Sequence, residues 1–388
     1  MQIVGPSWTI CGGPRPHIMI LIISTKADAH IEPVTSHLDA AGMPWARINT
    51  EDIARNLELN IEPANGKGKL FIRDSGLEVD LQNVRAVWYR KPEAICVSHF
   101  ELDQGALEYV ESEFREILDN LYGLLGDIPW INHPLKTKLA HRKMLQLRVA
   151  KKVGFTIPPT LVTNDPVAAL HFADGFNSDL AIKSLGALSV SEGTNAQLSY
   201  GLFTRRISRG ELDRFKDKVC HMPTTFQQFI EKRFELRVTC VGEHIFTCRI
   251  ETRPGNLSSE DYRFDAHNLN HVAYECPELH GRIHAYMREF QINFACFDFI
   301  VPKAGEPIFL EANCNGQWLW VQNLTRLPIG KAIADLLLKE SARQIASMKL
   351  HDANLVSDIA GRRLNICPRA FPDGASNKPA KEISASHH

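Results

Sequence analysis

The sequence predicts a mixed α/β and α+β protein with two or three domains, and three observations support this. Strand and helix patterns alternate at the start of the chain, from the apolar run Ile18–Ile23 to Trp45–Asn49, as in small domains with a partly parallel sheet. Later apolar runs, such as Phe234–Val241 and His244–Thr252, follow each other across short turns, as in antiparallel sheets. A chain of 388 residues is also too long for one small core.

Composition and charge narrow the class of protein. The chain is 44% apolar and 23% charged, and its formal net charge is −1, so charge predicts neither a nucleic-acid nor a membrane partner. No apolar run reaches the length of a transmembrane helix. The nine cysteines form no CxxC pair and several lie in apolar strand patterns, which is typical of reduced thiols. We therefore expect a cytoplasmic protein.

The order of the patterns predicts several segments along the chain. A first helix (Ile31–Ala41) and a long amphipathic helix (Gln104–Leu125) belong to the first domain. The glycine-rich stretch Ala64–Lys69 lacks the spacing of a phosphate-binding loop, and we interpret it as a hairpin turn. The predicted segments are an N-terminal extension (1–17), an α/β domain (18–131), a central subdomain (132–222), a C-terminal subdomain (223–340), and a helix end with a loosely ordered tail (341–388).

Further elements are predicted within the two later subdomains. A basic helix spans Lys136–Val153, and the strand Leu180–Leu185 leads into a loop of small residues, which is either a phosphate-binding loop or a surface turn. The other predicted elements are helices at Arg209–Lys216, Pro277–Phe290 and Pro328–Lys349, and a strand at Asn270–Tyr274.

The most informative stretch is a predicted hairpin with strands Phe294–Val301 and Ile308–Asn313. If Pro302 pairs with Pro307, Asp298 lies directly opposite Glu311, and cross-strand partners have Cβ atoms about 5 Å apart. Asn313 projects to the same face because side chains alternate along a strand.

Two facing carboxylates and an amide oxygen suit a hard cation such as Mg²⁺. An exposed edge hairpin with polar residues in solvent is the alternative, and it leaves the run after Asn313 unexplained. Lys143, Lys183 and Arg237 lie in other predicted elements. Lysines from two elements beside an Mg²⁺ site are what a triphosphate requires, although each lysine alone is typical of a solvated surface.

Taken together, these features resemble the ATP-grasp superfamily over residues 132 to about 334, and the predicted fold is therefore ATP-grasp preceded by a pre-ATP-grasp α/β domain. The motifs that carry the resemblance are, in order, Ala140-His-Arg-Lys143, Ala181-Ile-Lys183, Gln227-Gln-Phe-Ile-Glu231, Glu235-Leu-Arg237, Asp298 and Glu311-Ala-Asn313.

Within the superfamily the chain resembles the microviridin-type (graspetide, MvdD-like) maturases of ribosomal peptides, over about residues 18–338. The motifs for this closer resemblance are Ile22–Asp28, Ala86-Val-Trp-Tyr-Arg90, Phe234–Thr239, Asp261-Tyr-Arg263 and Glu311–Trp318. Tyr262 stands where the family usually has Trp, and Cys314 where Pro often follows the metal-binding Asn.

The resemblance implies ATP and Mg²⁺ as cofactors, with two metal ions, and a ribosomal precursor peptide (leader plus core) as partner. It implies that the chain activates Asp or Glu side chains of that peptide as acyl phosphates and closes ω-ester or ω-amide macrocycles, as a possible homodimer. The implied residues are Lys143 and Lys183 for phosphates, Gln228, Phe229, Ile230 and Glu231 for adenine and ribose, Asp298, Glu311 and Asn313 for the metal, Arg237 and Arg263 for catalysis, and Glu211 and Asp213 for the peptide leader.

Two other functions share this fold. One is a RimK-like ligase that acts on free amino acids or on a protein terminus. The other is a module that binds ATP without catalysis, which the paired carboxylates disfavour. For Glu211 and Asp213, a solvated helix of mixed charge is an equally good interpretation.

Overall fold

A computed structural model describes residues 18–186, 189–191, 199–201, 204–251 and 269–363. Residues up to Gln344 form one compact unit, and every contact discussed below lies within it. Residues 345–388 form a second unit, whose described part is the end of the last helix. None of the described helices has both the length and the apolar character that crossing a membrane requires.

The N-terminal domain is built around a parallel sheet, as the alternating pattern predicted. Its elements are β1 (Met19–Ser24), α1 (Glu32–Ala40), β2 (Trp45–Asn49), α2 (Ile53–Asn56), β3 (Leu57–Glu62), β4 (Lys67–Ile72), β5 (Leu77–Asp80), β6 (Val84–Tyr89), α3 (Gln104–Leu124) and β7 (Trp130–Ile131). The parallel sheet has the order β2-β1-β6-β7, and β1 is fully buried, as apolar runs in parallel sheets are. Strands β3, β4 and β5 form a separate antiparallel sheet, and its β3–β4 turn is the predicted hairpin turn.

The central part contains a second sheet of order β12-β9-β13-β8 with antiparallel pairs. Its elements are α4 (Pro134–Ala140), α5 (Lys143–Lys152), β8 (Thr160–Thr163), α6 (Pro166–Asp174), β9 (Leu180–Lys183), β10 (Ser189–Ser191), β11 (Ser199–Gly201), β12 (Arg205–Ile207), α7 (Arg209–Phe215) and β13 (Thr224–Gln228).

The prediction of one continuous basic helix over Lys136–Val153 was wrong. The chain breaks at His141 and Arg142, and Lys143 becomes the first residue of α5. The break is stabilised because the carbonyl of Ala140 accepts a hydrogen bond from the Gln146 side chain (2.7 Å). Lys143 therefore lies at the positive end of a helix dipole rather than in mid-helix.

The C-terminal part is a five-stranded antiparallel sheet of order β16-β15-β14-β17-β18. Its elements are β14 (Lys232–Val241), β15 (His244–Glu251), β16 (Asn270–Tyr274), α8 (Pro277–Phe290), β17 (Phe294–Pro302), β18 (Ile308–Asn313), α9 (Leu319–Thr325) and α10 (Ile329–Arg363). Helix α10 was predicted to end at Lys349 and runs on to Arg363, while residues 364–388 lie outside the described part of the chain.

The two faces of this sheet differ in chemistry. One face packs on α8 through a cluster of aromatic rings in which Phe297 lies 5.2 Å from Tyr286 and Phe309 lies 5.6 Å from Phe155, measured between ring centroids. Because side chains alternate along a strand, the residues between these rings face the other way. That second face carries Arg237, Asp298 and Glu311.

Candidate active site

The predicted cross-strand carboxylate pair is present. Asp298 in β17 pairs directly with Glu311 in β18. The register nearer the turn differs from the predicted one, because Phe299 pairs with Phe309 and leaves Leu310 as an extra residue in a β-bulge. The prediction assumed one constant register. It therefore gave the correct pair but did not include the bulge, which redirects the strand.

Two cationic side chains border the carboxylates. The Arg237 Nη1 atom donates to both carboxylate oxygens of Asp298, at 2.9 Å each, and the two side chains are 7% and 16% exposed. The Lys143 ammonium lies 4.0 Å from the Glu311 carboxylate, with 32% and 42% of these side chains exposed. This gradient of exposure leaves Glu311 and Lys143 accessible to a ligand, while Arg237 is nearly closed off.

The donors suit a hard divalent cation. Glu311 keeps a half-exposed carboxylate, Asp298 lies opposite it, and Asn313 offers an amide oxygen at the end of the same strand. In the described residues no cluster of three or more His, Cys, Asp and Glu side chains suited to a metal ion occurs. Mg²⁺ differs from the softer metals in needing few protein oxygens, since phosphate and water complete its shell. The residues therefore fit Mg²⁺ held jointly with a phosphate ligand.

Gln146 fixes the backbone between the two β18 ligand candidates. Its side chain accepts from the Ala312 N–H (3.0 Å) and donates to the Ala312 carbonyl (2.7 Å). Ala312 lies in the edge strand of the sheet, so these bonds satisfy backbone groups that no further strand pairs with. Because Gln146 lies one turn after Lys143 on α5, the same contact brings that lysine to Glu311.

Asn313 is held in a turn beside a histidine. Its Oδ1 atom accepts the Asn315 N–H at 2.9 Å, an Asx-type turn that ends β18. His141 lies in the break between α4 and α5. Burial lowers the pKa of His141, and its interactions with Asn313 and Glu311 oppose that shift in part.

The two predicted phosphate lysines lie at neighbouring points. The Lys143 Nζ atom donates to the carbonyl of Ser184 at 3.0 Å, directly after Lys183 at the end of β9. Lys183 donates to Gln227 Oε1 at 2.8 Å, across the β9–β13 pair. Lys143 thus contacts both the central sheet and the carboxylate strands.

The predicted adenine and ribose segment connects the two sheets. Gln228 ends β13, Phe229 is buried, and Ile230 and Glu231 lead into β14. The Arg206 guanidinium lies 4.5 Å above the Phe229 ring and bonds the Glu231 carboxylate at 3.0 Å. The side chain of Glu231 is 67% exposed, so its carboxylate remains open to solvent as well as to Arg206.

A buried ion pair follows this segment, and the sequence did not predict it. The Lys232 ammonium lies 2.8 Å from the Glu235 carboxylate, and each side chain is 7% exposed. Glu235 lies two residues before Arg237 on β14 and therefore on the same face of the sheet. The pair places balanced charge at the start of the strand that carries Arg237.

Of the remaining predicted residues, Glu211 and Asp213 lie away from the carboxylate pair, and Arg263 is not described. Arg263 belongs to the stretch 252–268, outside the described residues. Glu211 completes a capping box at the start of α7, where its carboxylate accepts from the Ser208 N–H (2.9 Å), and Asp213 pairs with Lys216 at 3.2 Å. These contacts account for both carboxylates as helix-stabilising groups, while a role in peptide binding stays a prediction.

Comparison with known proteins agrees with this architecture. Residues 19–138 match the family model described as the MvdD pre-ATP-grasp domain. No curated protein matches the chain. The chain therefore has the fold of ATP-grasp proteins, preceded by a domain that matches the MvdD pre-ATP-grasp model. More narrowly, the chain resembles the ATP-grasp maturases of graspetide-type peptides.

Three solved structures are similar over most of the chain. A RiPP-associated ATP-grasp ligase of Chryseobacterium gregarium, in complex with ADP and a leader and core peptide, is 28% identical, covers 83% of this chain and 97% of its own, and has a TM-score of 0.76. Macrocyclase MdnC of Microcystis aeruginosa MRC, bound with precursor peptide MdnA, is 26% identical, with coverages of 83% and 99% and a TM-score of 0.71. Macrocyclase MdnB of the same organism is 26% identical, with coverages of 82% and 98% and a TM-score of 0.66.

Sequence reasoning missed residues that act on backbone rather than on a ligand. Gln146 occupies a buried position of α5 with Val149 and Ala150, three and four residues later. A polar side chain on the buried stripe of a helix was the available signal. Arg90 ends the motif Ala86-Val-Trp-Tyr-Arg90, and nothing in its spacing indicates its partner 225 residues away.

Proposed function

We propose that this chain is an ATP-dependent ligase that activates Asp or Glu side chains of a ribosomal precursor peptide and closes macrocycles. The related proteins that support this are described as a RiPP-associated ligase with leader and core peptide and as a macrocyclase with its precursor. The observation that carries the proposal is the Asp298–Glu311 pair with Lys143 4.0 Å away, because paired carboxylates beside a lysine suit a metal-bound triphosphate.

In this proposal the phosphates, the nucleoside and the metal are held by different residues. Lys143 and Lys183 hold the phosphates of ATP, and Gln228 to Glu231 line the adenine and ribose. Asp298, Glu311 and Asn313 would hold Mg²⁺, two ions in all, and the metal would neutralise developing charge on the phosphates. Arg237 and Arg263 stabilise the transferred phosphoryl group, whose spread negative charge suits a guanidinium.

The reaction proceeds in two displacements. A peptide carboxylate oxygen attacks the γ-phosphorus of ATP, the bond to the β-phosphate oxygen breaks, and ADP leaves. A Ser or Thr hydroxyl, or a Lys amine, then attacks the acyl carbon, loses its proton, and expels phosphate, which carries away one carboxylate oxygen. The chain supplies positioning and electrostatic stabilisation, which account for most catalysis in phosphoryl transfer.

Arg237 has a second task in this arrangement. In the structure it is bonded to Asp298 and to the carbonyl of Gln317, at 2.9 Å each. We expect Arg237 to hold Asp298 in place for the metal. We also expect its positive charge to stabilise the negative charge of the phosphoryl group. The homodimer, the cytoplasmic location and the choice between ester and amide remain predictions of the same proposal.

The test is mass spectrometry of a processed peptide. A short reading frame rich in Thr, Ser, Asp and Glu beside the gene supplies the candidate precursor, and co-expression should reduce its intact mass by one water for each ring. An unchanged mass for every such candidate contradicts the proposal. ADP release stimulated by free amino acids without any peptide would instead favour a RimK-like ligase.

A further inference from the structure

The segment Asn313–Trp318, which we call the site loop, is bonded by side chains from four other parts of the chain. Its backbone accepts hydrogen bonds at three carbonyls, from Asn132 to Cys314 (3.3 Å), from Arg90 to Asn315 (2.6 Å) and from Arg237 to Gln317 (2.9 Å). Its last amide, that of Trp318, donates to His30 Nε2 at 3.4 Å. Loops usually bond to themselves or to water. This one combines internal bonds, such as that from the Asn315 N–H to Asn313, with bonds from distant side chains.

Two of the four side chains come from the N-terminal domain. Arg90 directly follows β6, and His30 precedes α1. The guanidinium of Arg90 is 2% exposed, and its Nη1 atom crosses to Asn315. The domain that precedes the ATP-grasp sheets therefore contacts the loop that follows Glu311 and Asn313.

Arg90 and His30 are themselves fixed by Asp28. The Asp28 carboxylate accepts from Ser24 Oγ at 2.9 Å, from His30 Nδ1 at 2.7 Å and from the His30 N–H at 3.1 Å, and Arg90 Nε lies 3.6 Å away. Burial raises the pKa of Asp28, but the bonds from His30 and Ser24 and the charge of Arg90 outweigh it and hold that pKa well below its usual range. Asp28 is therefore ionised, and it orients both residues that reach the loop.

The buried guanidinium of Arg90 is only partly matched by acceptors of the protein. Its Nε and Nη2 atoms have no hydrogen-bond acceptor among the described residues. A buried guanidinium with unmatched donors costs free energy relative to an apolar side chain, so what Arg90 contributes is a defined geometry. The geometry it defines is that of Asn315, whose own N–H bonds the Asn313 side chain.

The site loop also has little room to move on its other side. A Cβ atom at Gly316 would lie 2.7 Å from Cys296 Sγ and 3.0 Å from Arg237 Nη2. Gly316 is thus pressed against β17 and against the arginine that bonds Asp298. A side chain at position 316 would press on Cys296 and on Arg237, which bonds Asp298.

We propose that Arg90, supported by Asp28 and His30, is a positioning residue that sets the site loop so that Glu311 and Asn313 can hold Mg²⁺ on the nucleotide. The N-terminal domain thereby forms part of the metal site without touching the ligand. This inference rests on the proposed function, because it concerns the same metal site.

The test compares ADP binding by calorimetry with and without Mg²⁺ in the full chain. Arg90→Lys keeps a charge beside Asp28 but replaces the planar fork, whose Nε and Nη1 atoms lie toward Asp28 and Asn315, with one ammonium. We expect its ADP affinity in Mg²⁺ to fall about 10-fold or more, the usual cost of removing a residue that supports a metal ligand. Affinity in EDTA should stay within about twofold, since the lysines are untouched.

The matched control is Arg85→Lys. Arg85 lies in the same strand and also bonds a carbonyl at 2.6 Å, but that carbonyl is Gln82, three residues away. It should bind ADP as the wild type does in both conditions. Gly316→Ala moves the loop from its other side and should reproduce the Mg²⁺-specific loss, which keeps the inference testable if Arg90→Lys fails to fold.

The outcomes separate the two proposals. Equal ADP binding by wild type and Arg90→Lys in Mg²⁺ overturns the positioning role alone. Equal losses in Mg²⁺ and in EDTA also overturn it, because they indicate general damage. A wild type whose ADP affinity does not depend on Mg²⁺ overturns the proposed metal site and this inference together.

Discussion

Two aspartate–arginine pairs flank the site loop, and they differ in their access to solvent. Asp28 and Arg90 have side chains that are each 2% exposed, whereas Asp298 and Arg237 are 16% and 7% exposed. In both pairs the arginine also bonds a carbonyl of the loop. The Asp28–Arg90 pair is closed to solvent and serves the structure. In the Asp298–Arg237 pair the acid is more exposed and a second carboxylate, Glu311, faces it, so this acid is available to a ligand.

The largest effect, a loss of turnover, is expected beside the more exposed pair of Asp298 and Arg237, which we call the open pair. Glu311→Gln removes the negative charge opposite Asp298 without changing the side-chain shape, so the proposed metal site would lose its most accessible carboxylate. We expect ADP release with the precursor peptide to fall by about 10³-fold, as for other electrostatic groups of active sites. Glu306→Gln, in the hairpin turn and paired with Arg282 at the surface, is the control and should keep normal turnover. Normal turnover in Glu311→Gln would show that the site is assigned wrongly.

The buried pair of Asp28 and Arg90, which we call the closed pair, should instead control the free energy of unfolding. Asp28→Asn leaves the Arg90 guanidinium buried without its counter-charge, and breaking a buried pair typically costs about 3–5 kcal/mol of unfolding free energy. Asp298→Asn should cost less than half as much, because it also relieves the repulsion from Glu311. Urea unfolding monitored by circular dichroism measures both. If Asp28→Asn and Asp298→Asn lose the same unfolding free energy, the two pairs do not differ in their contribution to stability.

A smaller loss of stability is expected at Gln146, which bonds the backbone of Ala312, next to Glu311. Gln146→Leu keeps the volume but leaves the N–H and carbonyl of Ala312 without partners, at a cost of about 2 kcal/mol in unfolding free energy. Gln104→Leu removes an exposed glutamine bonded only to its helix neighbour Glu108 in the described contacts, and should change stability by less than about 0.5 kcal/mol. If the two variants unfold alike in urea, Gln146 does not hold the strand.

The smallest effect concerns the pH dependence of the unfolding free energy, which involves His30, the residue bonded to Asp28 of the closed pair. Burial lowers the pKa of His30 below that of an unfolded histidine, although its bond to Asp28 opposes the shift. The unfolded chain therefore takes up a proton more readily than the folded chain, and stability is lost as pH falls below about 6.5. His30→Asn can still donate to Asp28 and lacks the titrating ring. Its stability should fall less between pH 7 and pH 5, and an equal slope would contradict the assignment.

The sequence predicted the parts of this molecule that short-range patterns determine. The pairing of Asp298 with Glu311 followed from a two-strand pattern, and the parallel N-terminal sheet followed from alternating strands and helices. The break before Lys143 was missed because it depends on a side chain, Gln146, that bonds backbone in another element. The contact between Arg90 and Asn315 was missed because no local pattern links residues so far apart.

The most direct measurement is the binding of Mn²⁺, as a paramagnetic substitute for Mg²⁺, followed by electron paramagnetic resonance in the presence of ADP. The wild type and Glu306→Gln should bind Mn²⁺ together with the nucleotide, whereas Asp298→Asn and Glu311→Gln should leave the spectrum that ADP and Mn²⁺ give without protein. Binding of Mn²⁺ by both acid-pair variants with wild-type affinity would contradict a metal site between β17 and β18.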